Sequence, residues 1–230
     1  MRTVAELSSQ AETFRAAHQP GTPVLLPNVW DVMSARVVEE AGHHFLATSS
    51  SAVAGSLGAA DTNSMDPRTV FDVVARIAGA TSLPLTVDVE AGYDLDPGAL
   101  AEALVAGAIG CNLEDTQHGA EGLVDADAQA ERLAALRAAG DALGVPLVIN
   151  ARVDAVVRKV GTPEEQIAET LRRGRLYLDA SADCVYPIML ADEDRIAEVV
   201  EGLGAPVNVN LRNGGPSTAR LASDPEALWA

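Results

Sequence analysis

Hydrophobic positions along the chain fall into two alternating patterns. Short apolar runs recur at Val24 to Trp30, Phe45 to Ser49, Leu83 to Val89, Ala108 to Glu114, Pro146 to Val153, Cys184 to Met189 and Pro206 to Leu211. They are too short for helices and rich in Val, Leu and Ile, which suits strands buried on both faces. Between them, Asp31 to Ala41, Pro67 to Gly79, Pro97 to Gly107, Asp125 to Leu143, Pro163 to Ala180 and Glu193 to Leu203 place Ala, Leu, Val or Ile three and four residues apart. That spacing predicts amphipathic helices. Asp66-Pro67, Asp96-Pro97 and Thr162-Pro163 each set an oxygen-bearing cap before a proline at the first helical position. Gly107 and Gly144 stand where helices should stop.

Strand starts are separated by 21, 38, 25, 38, 38 and 22 residues, a spacing compatible with successive right-handed βα units. A (β/α)8 barrel of the TIM type is the leading expectation and a doubly wound sheet the second. Seven strands are visible; Ser217 to Ala230 reads as helix and loop, so the eighth strand and helix are missing or atypical. Residues 4–19 read as a leading helix that could cover the barrel bottom, and no linker interrupts a single domain spanning 1–230. With aromatics at 3%, the core has to be built from Ala, Val, Leu and Ile. A formal charge of −17 repels phosphate backbones and anionic membrane surfaces, which argues against nucleic acid and membrane as partners. No apolar run approaches a membrane span and the N-terminus lacks the apolar segment of a secretion signal, so a cytoplasmic protein is expected. Cys111 and Cys184 lie far apart in apolar runs and suggest neither a disulfide nor a zinc site.

In both parallel architectures the chemistry gathers at the carboxyl ends of strands. The third strand ends Asp88-Val89-Glu90, and the two-residue side-chain period places Asp88 and Glu90 on one face. By the same parity Asn112 and Glu114 share a face at the end of the fourth, as do Asn150, Arg152 and Asp154 at the end of the fifth. Crowded carboxylates either raise one another's pKa or take up a cation. Oxygen ligands without His or Cys favour a hard ion, so Asp88, Glu90 and Glu114 predict a Mg2+ site. Each acid taken alone would more simply cap loop amides or pair with an arginine. Ser49, Ser50 and Ser51 could offer hydroxyl and amide donors to a carboxylate, or form an ordinary strand exit. Asp61 reads as a turn residue, and Asn208 and Asn210 alternate along the seventh strand. His118 is the one histidine placed to reach the strand ends.

Several segments together resemble the isocitrate lyase and phosphoenolpyruvate mutase superfamily: Leu26-Pro27-Asn28-Val29-Trp30-Asp31, Ala47-Thr48-Ser49-Ser50, Asp88-Val89-Glu90-Ala91-Gly92-Tyr93, Asn112-Leu113-Glu114-Asp115, Ile149-Asn150-Ala151-Arg152-Val153-Asp154 and Leu211-Arg212-Asn213-Gly214-Gly215-Pro216. The resemblance implies a Mg2+-binding barrel enzyme that acts on a small anionic 2-oxo or 2-hydroxy carboxylate through an enolate. A lyase of a carbon–carbon bond is the first expectation. A carbon–phosphorus mutase or hydrolase is the second, and a shortened barrel that binds a carboxylate without turnover is a third. The resemblance implies a metal shell of Asp88, Glu90 and Glu114, partly acting through water, and makes Asp61 the acid of a loop that closes over the site. It further implies carboxylate binding by Ser49 with the amides of Ser50 and Ser51, and places Trp30 and Asn210 among the substrate contacts. Arg152 would steady the carboxylate or the enolate oxygen. Where the lyases carry a cysteine-bearing loop, this chain has Thr116-Gln117-His118-Gly119-Ala120-Glu121-Gly122, which leaves His118 or Glu121 as general acid or base. Family members usually continue through an eighth strand and a helix exchanged between subunits; a homo-oligomer is an expectation this ending leaves open.

Overall fold

The computed structural model describes residues 2–19, 21–212 and 215–222. Six strands, β1 (Asn28–Val29), β2 (Leu46–Thr48), β3 (Leu85–Asp88), β4 (Gly110–Glu114), β5 (Val148–Val153) and β6 (Cys184–Pro187), form a parallel sheet in chain order. The helices are α1 (Val4–Ala17), α2 (Val32–Glu40), α3 (Ser50–Ser56), α4 (Pro67–Ala80), α5 (Pro97–Leu104), α6 (Ala126–Ala142), α7 (Pro163–Asp179), α8 (Glu193–Leu203) and α9 (Thr218–Ala222). The expected α/β alternation is therefore present. Asp66, Asp96 and Thr162 each accept a first-turn amide at the predicted helix starts, with proline following.

Two expectations change. The seventh run yields no strand. Val207 makes a single parallel bridge to Val185, with Val185 N–H donating to Pro206 O and Asn208 N–H to Val185 O. Pro206 brings no amide and the asparagines that follow are poor strand formers, so the ladder stops after one rung. The serine run after β2 is not a plain loop exit: Ser49 caps the short helix α3, its Oγ accepting from Ala52 N–H. The final motif is described only in part, since Asn213 and Gly214 lie outside the described residues, and the expectation for 217–230 extends beyond them after Ala222.

Two compact units emerge from the contact pattern. One comprises Met1–Arg15, Leu25–Leu113 and Ala135–Ile149; the other comprises Ala16–Val24, Glu114–Ala134 and Asn150–Ala230. In the first, Leu46, Leu85, Val87, Val74, Ile77, Leu100 and Leu104 are buried between strands and helices. Helix α1 buries Leu7, Ala11 and Phe14, and Phe14 packs on Phe45 at 5.0 Å between ring centroids. Arg2 donates to the carbonyls of Thr81, Leu83 and Gly107, and Arg15 to those of Pro146 and Leu147. These carbonyls belong to the segments leading into β3, β4 and β5, so α1 is tied to the amino ends of those strands.

In the second unit, Ile167, Leu190, Ile196, Val199, Val200, Val207 and Leu221 form the core between α7, α8 and the segments after β6. The two helices interlock through reciprocal small-to-large pairs. A Cβ on Gly174 would come within 2.9 Å of Leu203, and one on Gly202 within 2.6 Å of Leu171, so each leucine fills the space a side chain would need. No helix among the described residues is long and apolar enough to cross a membrane.

Candidate active site

In the first unit, the acids after β3 are brought together by a turn rather than by the pleat. The strand ends at Asp88, and Glu90 has φ 49°, as part of a left-handed run that includes Gly92, Tyr93 and Asp94. Left-handed backbone at non-glycine residues is costly and concentrates at functional sites. The turn swings Glu90 inward, to 3% exposure, while Asp88 is half-buried. Asp88 Oδ1 accepts from Glu90 N–H at 3.3 Å, and Oδ2 accepts from the Ser50 hydroxyl at 2.9 Å and amide at 3.3 Å. Ser50 thus orients an acid through both its hydroxyl and its amide.

Glu90 Oε2 accepts the Asn63 amide, and Asn63 Oδ1 accepts from Tyr93 N–H at 2.9 Å. Asn63 anchors the exposed loop that carries Asp61. Glu90 Oε1 is buried with no hydrogen-bond partner among the described residues. Burial pushes the Glu90 carboxyl above the usual carboxylate range; Asp61 and Asp88 add to that, while the Asn63 amide and the Tyr93 hydroxyl only partly oppose it. Burial and the same three acids push the Tyr93 phenol up as well. Ser49 is occupied as a helix cap, while Ser51 and Trp30 are exposed.

The second unit answers its acids with cations. Arg152, near the end of β5, donates through Nε to Asp154 Oδ1 at 2.7 Å and through Nη2 to Oδ2 at 3.0 Å, a two-point fork. Its Nη1 meets Glu114 Oε2 at 2.7 Å, and His118 Nε2 meets Glu114 Oε1 at 2.6 Å. The predicted Glu114, Arg152 and His118 therefore converge. Asn210 is half-buried after the single bridge at Val207 and has no strand register.

Beneath them lies a group that the sequence reading missed. Asp115, fully buried, accepts from Asp154 N–H at 2.9 Å, Tyr177 Oη at 2.7 Å and Arg173 Nη1 at 3.1 Å. The Thr116 hydroxyl donates to Asp154 Oδ2. Burial pushes the Asp115 carboxyl up against the pull of these donors. Burial opposes the Arg173 charge, but Tyr177, Asp115 and Glu169 outweigh it and hold its pKa above the ordinary arginine value. A signal was present in the sequence: Arg173 falls on the apolar stripe of α7 with Ile167, Thr170 and Tyr177, and an arginine buried on such a face requires an acid partner.

Whether these residues fit a metal ion turns on Glu90. Among the described residues no three His, Cys, Asp or Glu side chains are grouped to hold an ion on their own. A buried carboxylate oxygen without a donor, beside two further acids, nevertheless calls for a positive charge, and Mg2+ characteristically uses one or two carboxylates and fills the rest of its shell with water and substrate oxygens. Asp88 and Glu90 fit that pattern.

Residues 14–224 match the family described as phosphoenolpyruvate phosphomutase. The 2-methylisocitrate lyase of Halalkalibacterium halodurans is 27% identical over 223 residues, spanning 92% of this chain and 71% of its own. A crystal structure from Burkholderia cenocepacia J2315, provisionally described as a phosphonomutase, superposes with a TM-score of 0.87 at 39% identity, covering 96% of this chain and 91% of that one. Phosphonopyruvate hydrolase, solved with oxalate and Mg2+, superposes with a TM-score of 0.81 at 22% identity over 96% and 78% of the two chains, a likeness of fold. The neighbours in structure are barrel-type, and the named relatives are enzymes: lyases, mutases and hydrolases. Since the match extends across both groups of acids, the chain belongs to the phosphoenolpyruvate phosphomutase family, within the PEP mutase/isocitrate lyase superfamily.

Proposed function

We propose that the protein is a Mg2+-dependent lyase that breaks or forms the carbon–carbon bond beside the carbonyl of a small 2-oxo or 2-hydroxy carboxylate, by way of an enolate. The observation that carries this reading is the buried Glu90 oxygen with no donor, set among like charges. Asp88 and Glu90 would hold the ion, Ser50 orienting Asp88. A bound Mg2+ would supply Lewis-acid stabilisation of negative charge on substrate oxygens.

Arg152 binds the carboxylate or enolate oxygen. Its guanidinium is already fixed by Asp154 and Glu114, so it offers positive charge without reorganising when the enolate forms. Together with the ion it draws an anion towards a chain of charge −17. His118, oriented by Glu114, carries the proton at its imidazole; Glu121 is the alternative carrier on the same loop. Asp61 serves on the loop that Asn63 anchors, and Ser49, Ser51, Trp30 and Asn210 contact the substrate. A second reading, cleavage or migration of a carbon–phosphorus bond, is favoured by the 39% identity to the structure described as a phosphonomutase.

Incubation with Mg2+ and a panel of 2-oxo and 2-hydroxy acids, read by mass spectrometry, tests both readings. Pyruvate, glyoxylate or oxalate is the product expected from a lyase, and phosphate or a phosphonate rearrangement from the alternative. Measurable oxalate binding with no product from any member of the panel would reject turnover and leave a carboxylate-binding protein.

A further inference from the structure

We infer that Tyr177 and Arg173, on α7, are positioning residues for Arg152, acting through Asp115 and the main chain of Asp154. The inference rests on the reading that Arg152 meets the substrate. The linkage consists of contacts within one unit. Tyr177 Oη and Arg173 Nη1 both donate to Asp115 Oδ2, at 2.7 and 3.1 Å, and Arg173 Nη1 also donates to Tyr177 Oη at 3.0 Å. The other oxygen of Asp115 accepts the Asp154 amide at 2.9 Å. That amide belongs to the residue whose carboxylate grips Arg152 at two points.

Core packing alone does not account for this arrangement. A helix face that buries Ile167, Thr170 and Gly174 could be completed by aliphatic side chains, which would pack without the desolvation of two charges. Arg173 and Tyr177 instead converge on one oxygen of Asp115, whose other oxygen holds a peptide N–H. Glu169 accepts from Arg173 Nε at 2.6 Å and fixes the far side of the guanidinium, so the fork faces Asp115 in a single orientation. The Asp115 carboxylate is held on both oxygens, and its rotation would carry the Asp154 amide with it. The two bonds from Asp154 to Arg152 then depend on a phenol that lies 62 residues along the chain from Asp115.

The test measures Arg152 directly. In an 15N-labelled protein, the Nε–H resonance of Arg152 is identified by its loss in Arg152→Lys, and its exchange with water is followed in Tyr177→Phe and in Arg173→Lys. Both variants are expected to speed that exchange and to weaken oxalate binding in the presence of Mg2+ by about fivefold to tenfold, the scale of one hydrogen bond's net contribution. Ile167→Ala, on the same helix but in its apolar core, is expected to lower the melting temperature while leaving both readouts at the wild-type value. Unchanged Arg152 exchange in Tyr177→Phe and Arg173→Lys overturns the inference. Faster exchange in a protein whose wild type binds no oxalate supports the positioning role and rejects the functional reading.

Discussion

The acids around the end of β3 and those around the ends of β4 and β5 solve the same electrostatic problem in opposite ways. Asp61, Asp88 and Glu90 stand near one another, hydroxyls and amides bind Asp88 and Glu90, and one buried Glu90 oxygen has no hydrogen-bond partner among the described residues. Glu114, Asp115 and Asp154 are matched by Arg152 and Arg173. A buried carboxylate oxygen that lacks a donor among the described residues invites a cation from solution, whereas carboxylates set against built-in guanidiniums are matched on folding. The first is suited to bind an ion and the second to keep a charge in place.

The contrast breaks most visibly at Arg173. Arg173→Leu leaves Asp115 buried without its cation, and unfolding by urea should show a loss of roughly 3–5 kcal/mol. A loss near zero would mean that the second group is not internally matched. Next in size, Asp88→Asn should weaken Mg2+ binding in calorimetry by at least about tenfold. Retained affinity would move the ion elsewhere.

Glu90→Gln sharpens the comparison in the other direction, because it should stabilise the apoprotein. The native carboxyl is pushed above its unfolded value, so the fold holds its proton more tightly than the unfolded chain does. The ionised form therefore costs stability, by an amount that is absent below the ordinary carboxylate range, develops as pH rises through the native value and is constant above it. Thermal melts without metal should show the variant above wild type at pH 7 and the gap closing towards pH 4. Excess Mg2+ should reverse the order at pH 7. The smallest effect belongs to Arg195, which is paired with Glu164 and Glu198 at the surface. Arg195→Ala should leave the melt within replicate scatter, since solvent screens such pairs.

Helix starts were legible because an Asp or Thr before a proline admits few alternatives, and all three such sites are capped as the residues imply. The strand that failed also had a readable cause in Pro206 and the asparagines that follow it. The parity rule placed Arg152 and Asp154 correctly because β5 runs straight to Val153. For Glu90 it gave the right neighbour for the wrong reason: the chain leaves the strand at Asp88 and turns through left-handed conformations that alternation cannot anticipate. The bond from Ser50 to Asp88 is not legible because the two are distant in sequence, nor is the burial of Asp115, whose partners Arg173 and Tyr177 lie on a helix far along the chain. Local patterns announce elements; pairings of polar groups across them do not.

The interlocked leucines and glycines of α7 and α8 have a consequence for altering this protein. Gly174 carries no functional group, yet it sits beside Arg173 and receives Leu203, so a larger residue there has to displace the methyl ends of that leucine. Directed evolution confined to strand-end loops would therefore overlook a lever: a side chain introduced at this featureless spot would change how α7 and α8 mesh.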